Sequence, residues 1–330
     1  MCLKNTILAV QKSKRHSKLR IYKSVASFQS DKKTFVTIGT FDGVHIGHQQ
    51  VIQNLVSRAH ENNAESVLLT FFPHPKMVLQ DGIEIQLINT LDERITLLEK
   101  TGLDVLIIQE FDADFANQSA LDFVKNVLVA QLNLSELVIG YDHHLGKNRE
   151  GNFEQLQEYG YTHNFKVREI PAHDISNIAV SSTKIRVALQ SGEIEKATRY
   201  LGNYFLLTGE VVSGENLGEK IGFPTANLFI KQKHKLIPKV GAYVIRSTYE
   251  GSTVYGMMNI GYRPTVDGKN KTIEINFFDF SENLYGKTIQ VEVLSFLREE
   301  QKFNSVEELQ AQLKLDTQKA KALISNRFID

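Results

Sequence analysis

Thr37-Ile38-Gly39-Thr40-Phe41-Asp42-Gly43-Val44-His45-Ile46-Gly47-His48 is the stretch whose reading decides the fold. The apolar, β-branched run from Phe35 to Ile38 predicts a buried strand. Gly39 and Gly43 break it, and the polar, periodic segment Gln49 to His60 predicts a helix. Strand, glycine loop, helix is a shape that turns backbone N–H groups and a helix N-terminus toward an anion. His45 and His48 stand three apart on the opening turn, so their imidazoles point the same way. Gly47 leaves room beside them for a phosphate to approach the backbone. A His-x-x-His pair alone is more often a solvated loop. The strand, the glycines and the helix around this one favour a phosphate loop.

Working outward, the chain alternates. Strands are predicted at Ser66 to Phe72, Val105 to Gln109, Leu137 to Ile139 and Lys166 to Ile170. Helices are predicted at Asp92 to Lys100 and Leu121 to Leu132. Alternation of this kind predicts a parallel sheet with right-handed crossovers, and ligands beyond the C-terminal ends of its strands. Three further loops fall there. Phe71-Phe72-Pro73-His74-Pro75 is a strand end stiffened by two prolines around His74. Gly140-Tyr141-Asp142-His143-His144-Leu145-Gly146-Lys147-Asn148-Arg149-Glu150-Gly151 is dense in polar groups, but its spacing and Asn148 exclude a Walker A loop. Val180-Ser181-Ser182-Thr183-Lys184-Ile185-Arg186 offers Ser182 or Thr183 as a helix cap, with Lys184 and Arg186 as cationic donors for triphosphate oxygens.

The opening run resembles the His-x-Gly-His signature of nucleotidyltransferases. Taken together and in order, GTFDGVHIGH, TFFPHP, GYDHHLGKNREGNF and SSTKIR resemble the adenylyltransferase module of the prokaryotic bifunctional riboflavin kinase/FAD synthetase family, over roughly 21–186. Lys184 stands where the family often has Arg, and His143, His144 and Leu145 stand where Phe and Arg are common. The resemblance implies catalytic roles for His45 and His48. It implies ATP contacts from Gly39, Thr40, Phe41, Asp42, Gly47, Ser182, Thr183, Lys184 and Arg186, and flavin contacts from Phe72, Pro73, His74 and Asn148.

Composition sets the frame. At 330 residues the chain is long enough for about two domains. Lys+Arg 38 balances Asp+Glu 38, so no global field favours nucleic acid or a membrane surface. No apolar run approaches the ~20 residues of a membrane-spanning helix. The single cysteine, Cys2, excludes an internal disulfide framework and a multi-Cys zinc site, and it fits a reducing cytosol. Residues 1–18, with Lys12, Lys14, Arg15 and Lys18, are expected to be a disordered basic leader or to follow an upstream start codon.

Val187 to Leu201 reads as a helical connection, and from Asn203 the texture changes. Phe205 to Val212, Ala242 to Tyr249, Ser252 to Asn259, Thr272 to Phe278 and Lys287 to Phe296 read as strands. Tyr249-Glu250-Gly251-Ser252 and Asp267-Gly268 are hairpin turns. Short strands at this spacing predict a small antiparallel barrel. A last helix, Val306 to Ile324, carries a Leu309, Leu313, Ala320, Leu323 stripe to pack on it. The expected organisation is therefore a leader (1–18), a Rossmann-like nucleotidyltransferase α/β sheet (19–186), a helical linker (187–202) and a β-barrel with a terminal helix (203–330).

Two stretches of this half carry chemistry. The loop from Gly214 through Gly218 and Gly222 to Phe223-Pro224-Thr225-Ala226-Asn227 allows close approach to phosphates. Thr225 and Asn227 alternate with Ala226, so both face one side, as oxygen ligands for a hard cation would. In Thr272-Ile273-Glu274-Ile275-Asn276-Phe277, alternation puts Glu274 and Asn276 on one face and Ile273, Ile275 and Phe277 on the other. Glu274 there can take a proton from a substrate hydroxyl during phosphoryl transfer.

GFPTAN, MNIGYRPT, IEINFFDF, LYGK and FLREEQKF resemble the riboflavin kinase domain, over roughly 203–321. That resemblance implies Glu274 as catalytic base. It implies ATP binding by Gly214, Gly218, Gly222, Phe223, Pro224, Thr225 and Asn227, with Mg²⁺ on Thr225 and Asn227. Flavin contacts would come from Asn259, Arg263 and Arg298. Asn276 occupies a position often held by His. The expected function is synthesis of both flavin cofactors: riboflavin and ATP to FMN, then FMN and ATP to FAD and pyrophosphate. The implied partners are these small molecules, with no nucleic acid and no membrane, in a cytoplasmic monomer or weak homo-oligomer. The alternatives are an enzyme with only one of the two activities, its other module non-catalytic, and a flavin- or nucleotide-binding regulator.

Overall fold

A computed structural model describes residues 18–79, 85–140, 145–147, 150–170, 180–214, 218, 221–265 and 268–328, with the backbone alone for 263–265 and 268–270. Residues 1–17 of the expected leader, His143, His144, Asn148, Asp267 and the Arg263 side chain thus lie outside the described residues.

The N-terminal half is a parallel sheet. Its strands are β1 (Arg20–Tyr22), β2 (Thr34–Ile38), β3 (Glu65–Phe72), β4 (Val105–Glu110), β5 (Leu134–Gly140) and β6 (Lys166–Ile170). They lie in the order β1-β4-β3-β2-β5-β6. Every residue of β2 is buried, because helices cover both faces of a parallel sheet and leave no solvent side for alternation. Those helices include α1 (Ile46–Glu61), α2 (Pro75–Leu79), α3 (Leu91–Glu99), α4 (Ala113–Ala116), α5 (Ala120–Asp122) and α6 (Phe153–His163). Successive strands run outward from β2 through β3 to β4 on one side and through β5 to β6 on the other. The crevice beyond the carboxyl ends of β2 and β5 is therefore the topological switch point where open α/β sheets take ligands.

Three local expectations change. Leu121 to Leu132 is not one α-helix: α5 passes into a π-helical stretch, Phe123–Val129, whose wider turn buries Phe123, Val124, Val127 and Leu128. The helical connection is two helices, α7 (Ser182–Gln190) and α8 (Ile194–Leu201). Gly192 at φ +78 makes the corner between them, a conformation that costs glycine nothing. The cap of α7 is neither Ser182 nor Thr183 but Ser181, whose hydroxyl accepts the Lys184 N–H. Ser181 keeps extended backbone, as an N-cap must.

The second half closes into an antiparallel barrel, in the order β10-β11-β8-β7-β12-β9. Its strands are β7 (Phe205–Val212), β8 (Ala226–Phe229), β9 (Gly241–Tyr249), β10 (Ser252–Thr265), β11 (Gly268–Phe277) and β12 (Thr288–Arg298). β10 and β11 run several residues past the expected ends and pair as far as Thr265 with Gly268. The β9–β10 turn has Glu250 at φ +48 and Gly251 at φ +82, the left-handed pair that suits strand twist in a two-residue hairpin. A final helix, α9 (Val306–Arg327), buries Ala320 and Ile324 and also Asp316, which the apolar stripe did not announce. The barrel core, with Phe205, Tyr243 and Ile260 at its centre, takes in Ile88 of the N-terminal half.

Candidate active sites

At the end of β2 the chain turns hard. Phe41 has φ +48, Gly43 +93 and Val44 +39. A β-branched residue at positive φ is strained, and such strain persists where the surroundings over-determine it. Here Phe41 is buried beneath the His48 ring at 4.8 Å, and the Val44 N–H donates to the Phe41 carbonyl. His45 is the N-cap of α1, its Nδ1 accepting the His48 N–H at 3.3 Å. The two imidazoles stack, with centroids 3.6 Å apart and planes 14° from parallel. Burial, then His45, then the Arg94 guanidinium hold His48 well below the usual histidine range. It is neutral at neutral pH, and its shielded Nδ1 has no hydrogen-bond partner among the described residues.

Asp42 faces inward. Its carboxylate accepts the N–H groups of Ile88 (3.1 Å) and Asn89 (3.2 Å) and pairs with Arg186 at 2.6 Å. Arg186 also donates to the Gln86 carbonyl, and the Ser182 hydroxyl donates to the Asp42 carbonyl. The glycine loop, the 86–89 segment and the start of α7 are thus one hydrogen-bonded unit. Arg186 and Asp42 neutralise each other there, while Thr183 and Lys184 are exposed on the first turn of α7. Beneath Thr40 lies Arg94, 1% exposed, donating to the Thr40 carbonyl and the Thr70 hydroxyl. Arg94 escaped the sequence reading because it sits mid-helix with no motif of its own.

His74 is buried, its Nδ1 accepting the Lys76 N–H, and burial above all lowers its pKa to about 4. Phe72 and Pro73 are half-buried at the same sheet edge, while Gly39 lies against the Phe41 ring and Gly47 is buried in α1.

In the barrel, register does the assembling. Asn227 pairs with Glu274, Glu274 with Asn259, Asn259 with Ala242 and Ala242 with Arg298, so these residues form one row across the strands. Residues directly opposite share a face. The row lines a cavity of about 330 Å³ that also takes in Gly218, Phe223, Thr225, Asn276 and Asp316. Arg298 is held on the wall by Asp316, with its Nε 2.9 Å and its terminal nitrogen 2.8 Å from one carboxylate oxygen. Asp316 is 18 residues from Arg298 in sequence and had no signal beyond a charge in an apolar stripe.

The glycines explain themselves by contact. A Cβ on Gly214 would lie 2.0 Å from the Asn227 amide nitrogen, and one on Gly218 would lie 2.3 Å from the Phe223 carbonyl and 3.2 Å from the Thr225 hydroxyl. Gly222 has φ +79 and open space, so there the need is conformational. The Asn276 amide donates to the Pro224 carbonyl, and the Gln310 amide of α9 to the Ile221 carbonyl, pinning both ends of this turn. Among the described residues no group of three or more His, Cys, Asp or Glu gathers as a metal site. Thr225 and Asn227 offer neutral oxygens beside the carboxylate of Glu274, which Asn227 opposes in register. That set suits Mg²⁺ arriving on a phosphate, since this ion keeps waters and few protein ligands.

The family described as FAD synthetase matches residues 27–184, and the family described as riboflavin kinase matches residues 201–324. The chain is 36% identical to the bifunctional riboflavin kinase/FMN adenylyltransferase of Haemophilus influenzae, over 88% of this chain and 94% of that one. It is 34% identical to the protein so described from Bacillus subtilis, over 90% and 95%. The chain belongs to the bifunctional riboflavin kinase/FMN adenylyltransferase family. A crystal structure from Streptococcus pneumoniae, described as a macrolide-efflux protein, superposes with a TM-score of 0.84 at 29% identity, over 92% of this chain and 99% of that one. In this family member, no helix among the described residues is long and apolar enough to cross a membrane.

Proposed function

We propose that this chain makes both flavin nucleotides, phosphorylating riboflavin in the barrel cavity and adenylylating FMN at the switch point of the sheet. The reading is carried by one observation: a carboxylate, Glu274, and two neutral oxygen ligands, Thr225 and Asn227, converge under a glycine loop, while a stacked imidazole pair tops a second loop in the same chain. In the barrel, Glu274 accepts the proton of the ribityl hydroxyl as that oxygen attacks the γ-phosphate of ATP and ADP leaves. Gly214, Gly218 and Gly222 let the backbone close on the phosphates, with Phe223 and Pro224 shaping the turn. Thr225 and Asn227 would hold the Mg²⁺ that ATP brings, which would supply charge neutralisation. Asn259 and Arg298 on the cavity wall contact the flavin, and the family resemblance adds Arg263 to this role.

At the sheet, the FMN phosphate attacks the α-phosphate of ATP and pyrophosphate leaves. No protein nucleophile is needed, so the work is alignment and stabilisation of charge. His45 and His48, with Gly39, Thr40, Phe41 and Gly47 behind them, line the phosphate path. A neutral His48 can donate a hydrogen bond without bringing a charge that must be desolvated. Ser182, Thr183 and Lys184 guide the triphosphate. Asp42 and Arg186 act by holding the loop to α7. Phe72, Pro73 and His74 contact the flavin, and the family resemblance adds Asn148 to this role. The modules run over 19–186 and 203–330 about the 187–202 linker, and the enzyme works in the cytoplasm as a monomer or weak homo-oligomer.

The test is product analysis with riboflavin, ATP and Mg²⁺. His48→Ala should abolish FAD formation and leave FMN formation, whereas Glu274→Ala should stop FMN formation and leave conversion of added FMN to FAD. Loss of both activities, FMN formation from riboflavin and FAD formation from added FMN, on either change in a protein that still folds would sink the two-site reading.

A further inference from the structure

The two halves meet along a short strap. The Leu87 N–H donates to the His234 carbonyl at 2.6 Å, and the Leu236 N–H donates to the Leu87 carbonyl at 2.8 Å, making a parallel bridge between the sheet module and the barrel. Between them Lys235 is buried. Its Nζ donates to Glu93 and to the carbonyls of Ile88 and Leu206, each at 2.6 Å, and sits 4.3 Å above the Phe205 ring. Ile88 is the residue whose N–H binds Asp42, so the strap is continuous with the glycine loop.

This clamp fixes the backbone of His234 and therefore aims its ring. The imidazole lies 5.8 Å from the Phe72 ring at 60°, an edge-on pair, and both residues are half-buried. The charges acting on it are those of Arg94, Asp42 and Lys235. Its ring makes no hydrogen bond among the described residues, although its Nε2 is shielded. An imidazole kept for the fold alone would be expected to satisfy that atom, since leaving it unpaired costs about 1–3 kcal/mol. Burial and Arg94 keep the ring uncharged at neutral pH, so it presents an aromatic surface with polar edges.

We infer that His234, a residue of the barrel, is a flavin-binding residue of the adenylyltransferase site, forming with Phe72 a two-sided aromatic corner for the planar ring system of FMN. This rests on the sheet-site reading above. Two rings set edge-on present a corner that a flat polycycle fills by stacking on one and meeting the edge of the other. The barrel then does more than make FMN: it supplies a wall of the site that uses it.

The experiment measures FAD formation from added FMN and ATP by the full chain, beside FMN formation from riboflavin. His234→Ala is expected to raise KM for FMN about tenfold, the loss of one aromatic contact. KM for ATP and the riboflavin kinase rate should stay within about twofold. His234→Phe, which restores the ring without its nitrogens, is expected to recover most of the FMN affinity. An unchanged KM for FMN in His234→Ala overturns the inference, as does a parallel fall in both activities. His48→Ala, run alongside, separates the two failures: FAD formation surviving there would refute the sheet site itself, whatever His234 does.

Discussion

At the scale of single residues, His74 is the group whose environment has the clearest thermodynamic consequence. Burial is the main cause of its pKa of about 4; Arg186, Arg94 and Lys76 push the same way and Asp42 opposes them. In the unfolded chain the same ring titrates near 6.5. As pH falls below that value the unfolded state takes up a proton that the folded state refuses, so stability is lost between about pH 6.5 and pH 4. The loss attributable to this ring is at most about 3 kcal/mol. Urea unfolding of the wild type and His74→Gln at pH 7 and pH 4.5 checks this: the wild type should lose more stability than the variant across that interval. Which residues carry chemistry was partly legible at this scale. The nearness of His45 and His48 was legible from their three-residue spacing, although His45 caps α1 rather than lying in it, and the Glu274/Asn276 face from strand alternation. The inward pairing of Asp42 with Arg186 was not, because the partners are 144 residues apart and nothing local in either sequence names the other.

Among the elements, the glycine loop before β8 is the sharpest case. In sequence alone its glycines offer phosphates freedom to approach. The contacts add a second reason at Gly214 and Gly218: each lies against a residue of the cavity, Asn227 or Thr225, with no space for a Cβ. Gly214→Ala should therefore displace the Asn227 side chain. Riboflavin kinase activity is expected to fall about tenfold or more, because misplacing a ligand-positioning group costs this much or more in rate. FAD formation from supplied FMN should stay within about twofold; a matched fall in both would contradict the account. The π-helical stretch and the Ser181 cap were misread for a shared reason. Apolar periodicity marks that a helix exists, while its winding and first residue depend on what packs against it.

For the whole molecule, the Lys235–Glu93 pair matters most. Both side chains are fully buried, and burial lowers the Lys235 pKa while Glu93 pulls it back up. Removing one partner strands the other charge in the interior. Lys235→Met is expected to cost about 3–5 kcal/mol, and adding Glu93→Leu should recover much of it, since an apolar pair can replace a buried ion pair. Denaturant unfolding of the two variants decides this; a double variant no more stable than Lys235→Met would show that the pair is not what the strap depends on.

The amino-acid sequence by itself determined the two architectures, the order of the strand-end and glycine loops and the residue types at each. Those depend on local rules: the 2.0 and 3.6 periodicities, glycine and proline punctuation, and short motifs read within a dozen residues. Only the tertiary structure decided which charges cancel, as Asp42 with Arg186 and Arg298 with Asp316 do, and that a barrel residue, His234, stands edge-on to Phe72 of the sheet module. Such pairings come from strand register and the docking of one half on the other, and no window along the chain contains both partners.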